Sequence, residues 1–81
     1  MRLDKFLKVS RIIKRRTVAK EFAEHERVMV NDKVAKPSHE VKEGDKITIQ
    51  IGARKTSYEI VDIKENVKAN ESKNLYRIIT E

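Results

Sequence analysis

The chain contains no cysteine, which excludes disulfides and thiolate metal ligands and is compatible with a reducing cytoplasm. Its only glycines are Gly44 and Gly52, so no phosphate-cradling nucleotide loop can be built. His25 and His39 are the only histidines and form no helical i, i+4 pair, so they read as helix-end and loop residues, and no metal or other cofactor is expected. No stretch approaches the ~18 consecutive apolar residues of a membrane helix. Asp4, Lys5 and Lys8 interrupt any secretory h-region, so secretion and membrane spanning are not expected. The acids are scattered among Lys and Arg. Ser10, Thr17 and Ser38 are accounted for as helix-face, cap and turn residues, so an enzyme is not expected.

What is present is charge, unevenly placed. Of 81 residues, 40% are charged and 38% hydrophobic, a composition suited to one domain with a thin core. The first twenty residues hold eight Lys or Arg against Asp4 alone, a local charge of +7. The remaining residues carry eleven basic and twelve acidic side chains, so the formal net charge of +6 resides at one end.

Placed at 100° per residue, Leu3, Phe6, Leu7 and Ser10 share one arc of a first helix over residues 3 to 10, and Arg2, Lys5, Lys8 and Arg11 share the opposite one. Val9 falls on the basic side and implies packing against a neighbouring element. A second helix is expected from Thr17, as its capping hydroxyl, to about His25, burying Val18, Ala19, Phe22 and Ala23. Ile12 and Ile13 would anchor the connection and leave Lys14, Arg15 and Arg16 at the mouth of that helix. From Val28 the period becomes two: Val28–Val30, a turn at Asn31-Asp32 and Lys33–Lys36 read as a hairpin that ends at Pro37-Ser38. After a turn at Glu43-Gly44-Asp45, Ile47–Ile51 reads as a strand with an isoleucine face. Tyr58 and Ile60, then Val61 and Ile63 in shifted phase, suggest a bulge. Residues 64–74 are poor in apolar side chains and read as a mobile loop before a last strand from Leu75 to Ile79.

A solvated helix face normally mixes charges of both signs, whereas this one repeats Lys and Arg almost without Asp or Glu. Counterion release rewards such clustering on a phosphate polymer, so nucleic acid is the expected partner. An anionic membrane surface would need free bulky apolar residues, but Leu3, Phe6 and Leu7 are committed to the core. Phe6 and Phe22 lie on apolar arcs, and Tyr58 and Tyr76 do not form the paired aromatic strands of a base-stacking platform. A helix-turn-helix DNA binder should project polar readers where Glu21 and Glu24 stand. An RNA-modifying enzyme would need a catalytic domain not found here. An assembly or hibernation factor on structured rRNA shares every feature so far and stays open.

Arg2-Leu-Asp-Lys-Phe-Leu, Arg11, Arg15-Arg16-Thr17, Val28-Met-Val-Asn31, Pro37-Ser38, Val41 and Gly44-Asp45-Lys46-Ile47 together resemble the alpha-L RNA-binding motif of the ribosomal protein S four type. Over its whole length the chain is similar to the stand-alone, ribosome-associated members, the heat-shock fifteen-kilodalton protein and the short RqcP-type quality control factors. The resemblance implies an α+β fold, two N-terminal helices on a small, mainly antiparallel sheet, with residues 1–51 as the core motif and 52–81 as a strand extension. It also implies binding to obstructed large ribosomal subunits between rRNA and P-site tRNA, in support of C-terminal alanine tailing by a factor that recruits alanyl-tRNA. A cytoplasmic protein, monomeric when free, is expected. The candidate RNA-binding residues are Arg2, Lys5, Lys8, Arg11, Lys14, Arg15, Arg16, Lys20, Lys36 and Ser38. Arg15 and Arg16 lead because a planar guanidinium grips phosphate in two places. Relatives usually carry glycine where Glu26 and Asp32 stand, and a positive φ at Glu26 would cost on the order of 1 kcal/mol.

Overall fold

The computed structural model describes residues 1–79. Helices α1 (Leu3–Val9) and α2 (Arg16–Glu24) precede strands β1 (Val28–Val30), β2 (Lys33–Val34), β3 (Lys46–Ile51) and β4 (Arg54–Ile60). A three-ten helix (Ala69–Leu75) then leads into β5 (Tyr76–Ile79). The strands form one antiparallel sheet in the order β2-β1-β3-β4-β5. This is the α+β architecture that the period change at Val28 predicts.

The register explains where the core sits. Val28 faces Ile49 and Val30 faces Ile47, so these four side chains share one side of the sheet. Against them pack Leu3, Phe6 and Leu7 of α1 and Ala19 and Ala23 of α2, all buried. The hydroxyl of Ser10, fully buried on the same α1 arc, is satisfied by the Leu7 carbonyl at 3.2 Å. Val9 is half-buried against this core, which accounts for its place on the basic side. The other side of the sheet carries a row across all five strands, Val34, Met29, Thr48, Ser57 and Ile79, with the Thr48 and Ser57 hydroxyls 3.0 Å apart.

The reversals have specific causes. Asn31 and Asp32 both take positive φ, 52° and 69°, as a two-residue hairpin of the primed kind requires. The Asn31 amide donates to Asp45 Oδ1 at 3.0 Å, and Asn31 Oδ1 accepts from the Lys46 amide at 3.0 Å, so the turn is braced by the neighbouring strand. At the end of α2, Glu26 lies at φ 59° while its own N–H donates to Ala23 and that of Arg27 to Phe22. This pair of bonds is a Schellman closure with a glutamate where glycine is cheapest. Arg11 (φ 61°) plays the same part after α1, its N–H donating to Lys8.

Glu26→Gly is therefore expected to stabilise the fold by roughly 0.5 kcal/mol, because ~1–2 kcal/mol of left-handed strain exceeds ~0.5–1 kcal/mol of added unfolded-state entropy. A rise in urea midpoint at constant slope would register it, and a fall would show that the exposed Glu26 side chain holds a contact worth more than the strain.

Three expectations are corrected and one is supported. α2 begins at Arg16 with Arg15 at the capping position, so Thr17 lies inside the first turn and no side-chain oxygen caps the helix. At the expected bulge, β4 ends at Ile60 and Val61 and Asp62 both donate to the Leu75 carbonyl, at 2.8 and 3.2 Å, two residues set against one as the shifted phase predicts. Residues 69–74 of the expected loop, together with Leu75 from the expected last strand, wind into the three-ten helix, which buries Ser72 and Leu75. Ile63 and Val67 pack against the core from the preceding stretch; their spacing is too wide to register as a period. Finally, Ile51 is 61% exposed, because the helices cover the isoleucine face only as far as Ile49.

Candidate nucleic-acid interface

α1 starts without a side-chain cap, and its first amides are satisfied from elsewhere. The Leu3 N–H donates to the His39 carbonyl at 2.8 Å and the Asp4 N–H to the Pro37 carbonyl at 3.2 Å, while Asp4 Oδ1 accepts from the Lys5 N–H at 2.8 Å. The segment around Ser38 thus lies across the helix mouth, beside Arg2.

The one acid of the basic segment is the structural surprise. Asp4 is buried; its Oδ1 accepts from Arg2 Nε at 3.2 Å and its Oδ2 from Arg2 Nη2 at 3.3 Å, with Arg16 Nε 3.4 Å from the same Oδ2. It forms the floor of a groove of about 300 Å³ walled by Arg2, Arg16, Thr17 and Lys20. Both guanidiniums are about half exposed, so each is tethered on one edge and open on the other. A guanidinium has five donors in a planar fork and keeps spare N–H groups for phosphate after binding one carboxylate.

A second cleft, about 360 Å³, is lined by Lys8, Val9, Arg11, Lys14 and Arg15 together with Glu65, Asn66 and Val67. Lys5 stands beside it and forms an ion pair with Glu65. Lys8, Arg11, Lys14 and Arg15 have no ion-pair partner among the described residues. The structure therefore regroups the cations: Arg15 faces one cleft and Arg16 the other, although they are neighbours in sequence. The start of α2 lies where the two meet.

That start is electrostatically costly for the protein alone. The free amides of a helix N-terminus carry partial positive charge, and Lys14, Arg15 and Arg16 crowd it with no acid in the first turn. A cation at this end disfavours the helix by roughly 0.3–1 kcal/mol, and an arriving anion relieves the repulsion. Lys36 is set apart, in a groove with Ala23, Glu24, Glu26, Val34 and Pro37. Sequence reasoning missed Asp4, Glu65 and Asn66. An acid in the first turn of a basic helix is a usable signal for Asp4; nothing local points to the other two.

Elsewhere, the Tyr58 and Tyr76 rings meet edge to face at 5.4 Å, and burial, then the neighbouring Tyr76, raises the Tyr58 hydroxyl above its usual pKa. The terminal amine at Met1 donates to Glu40 at 2.8 Å and holds that carboxyl below the usual range. Neither pair borders the clefts. Among the described residues no helix is long and apolar enough to cross a membrane.

A small α+β domain whose N-terminal cations line two clefts about one helix has the build of a polyanion-binding module of the phosphate-reading kind. The chain belongs to the S4 domain family, whose pattern matches residues 1–47. It is 53% identical over 78 residues to the RQC P-site tRNA stabilizing factor of Halalkalibacterium halodurans, covering 96% of this chain and 89% of that protein. It is 47% identical over 81 residues to the protein of the same name from Bacillus subtilis, covering 100% of this chain and 94% of the other. The trimeric structure of Vibrio cholerae Heat Shock Protein 15 superposes with a TM-score of 0.88 at 35% identity, covering 98% of this chain and 81% of that one.

Proposed function

We propose that this protein is a non-enzymatic RNA-binding factor of ribosome quality control, which holds P-site tRNA on obstructed large ribosomal subunits and so supports alanine tailing of the stalled peptide. The observation that carries the reading is the pair of cationic clefts flanking α1, which offers phosphate contacts in two directions from one short helix. A-form RNA hides its base edges in a deep, narrow groove, so contact through backbone phosphates and shape suits clefts walled by Lys and Arg. The full-length similarity to the P-site tRNA stabilizing factors supports the choice of RNA and of ribosomal setting. In this reading Arg2, Arg16 and Lys20, with Ser38 at the edge, take one RNA backbone, and Lys5, Lys8, Arg11, Lys14 and Arg15 take another. Lys36 serves as a peripheral contact. The working form is a cytoplasmic monomer that meets rRNA and tRNA on the subunit, alongside a tailing factor that delivers alanyl-tRNA.

Arg16→Ala tests it by co-sedimentation with large subunits carrying peptidyl-tRNA over a salt series. Binding should weaken several-fold at low salt, and the slope of log K against log[salt] should become shallower by about 0.9, the loss of one phosphate contact. Equal binding by variant and wild type across the series would sink the assignment. A preference for intact ribosomes or empty subunits over peptidyl-tRNA complexes would favour an assembly or hibernation factor instead.

A further inference from the structure

The second cleft contains an anion of its own. Glu65 lies beyond the S4-matched segment, on the stretch between β4 and the three-ten helix, yet it borders the cleft made by Lys8, Arg11, Lys14 and Arg15. The stretch is held in place on both sides of it. Val61 and Asp62 donate to the Leu75 carbonyl, and the Ile63 N–H donates to Asp62 Oδ1 at 2.8 Å. Ile63 and Val67 are packed against the core two residues before and two residues after Glu65. The Glu65 side chain itself is 70% exposed, and its one ion-pair partner among the described residues is Lys5. The Lys5 hydrogen bond, then its charge, lowers the carboxyl below the usual range.

We propose that Glu65 is a built-in competitor of RNA phosphate for Lys5, placed by the C-terminal extension in the mouth of the cationic cleft. The inference rests on the RNA-binding reading given above and concerns the regulation of that same site. A carboxylate on an ammonium occupies the position that a phosphate oxygen would take. When a backbone enters the cleft, Lys5 exchanges carboxylate for phosphate and Glu65, pinned on either side, is left facing the incoming charge. Every polyanion meets the same penalty, but only one that also engages Lys8, Arg11, Lys14 and Arg15 together offsets it. The acid therefore raises the threshold against strands that touch the cleft at one or two phosphates, which is discrimination by a repulsive element.

The test is binding of full-length wild type, Glu65→Gln, Lys5→Ala, Lys5→Ala/Glu65→Gln and Glu59→Gln to isolated large ribosomal subunits carrying peptidyl-tRNA, over a salt series. Glu59 pairs with Arg77, and its row in the register lies on the sheet face away from the helices, so Glu59→Gln removes an equal charge far from the cleft. Glu65→Gln should bind roughly two- to fivefold more tightly at low salt, the range of one exposed ion pair. Its salt slope should steepen by about 0.9 as Lys5 gains a phosphate. In the Lys5→Ala background the gain should shrink and the change in slope should vanish, and Glu59→Gln should not reproduce either. If the wild type binds and Glu65→Gln binds equally or more weakly, the competitor role is overturned and the RNA-binding reading stands. If the wild type shows no salt-dependent binding, both are overturned.

Discussion

Phe6→Ala should abolish a cooperative melt or lower its midpoint severely, with a loss of about 3 to 5 kcal/mol. Phe6 is fully buried, between Leu3 and Leu7 on α1 and under the sheet. Truncation removes the transfer energy of the ring and leaves a cavity in a core with few side chains able to collapse into it. Domains of this size sit near the low end of the ~5–15 kcal/mol range, so one such loss consumes most of the margin. Phe6→Leu, which keeps more of the volume, should stay folded with a lowered midpoint. An unchanged melt for Phe6→Ala would mean that the apolar arc of α1 faces away from the sheet.

Asp4→Ala pits geometry against net charge. The substitution raises the net charge by one, and if RNA affinity simply followed total charge, binding would tighten. The structure requires the opposite: without the buried carboxylate, Arg2 and Arg16 lose the oxygen atoms 3.2 to 3.4 Å away that orient them and repel each other. RNA affinity should fall about tenfold, equivalent to ~1.4 kcal/mol. Stability should fall by roughly 1 to 2 kcal/mol, a modest figure because both guanidiniums are half exposed and screened. Asp4→Asn keeps one acceptor oxygen and should lie between. Tighter binding by Asp4→Ala than by wild type would show that the groove acts only as a diffuse positive field.

The elements with strong local periodicity were legible in sequence. α1 declared itself through Leu3, Phe6, Leu7 and Ser10, β3 through alternating isoleucines, and the first hairpin through Asn31-Asp32, whose positive φ angles are now in place. The absence of glycine at Glu26 also pointed to real strain. What failed did so where long-range contacts decide. Thr17 satisfied the local rule for a cap, yet α2 starts before it, and the cationic mouth is left uncapped. Ile63, Val67 and Leu75 are spaced without period, and Leu75 becomes buried and the other two partly so only because β4 returns them to the core. The cations were found as a set, but their division into two clefts depends on how α2 packs on α1. Asp4 and Glu65 acquire their roles from partners 12 and 60 residues away in sequence, at Arg16 and Lys5.

The family pattern stops at residue 47, yet that position lies inside β3, and the hydrogen-bonding partner on its far side is β4, wholly beyond the boundary. Ile60 and Leu75, fully buried, close the end of the same apolar cluster that supports α1 and α2. Cationic surface and extension are thus one mechanical object: the extension is the back wall against which the cation-bearing helices are braced. Transplanting the helices and first hairpin onto another protein would carry the cations across without the stiffness that keeps them apart.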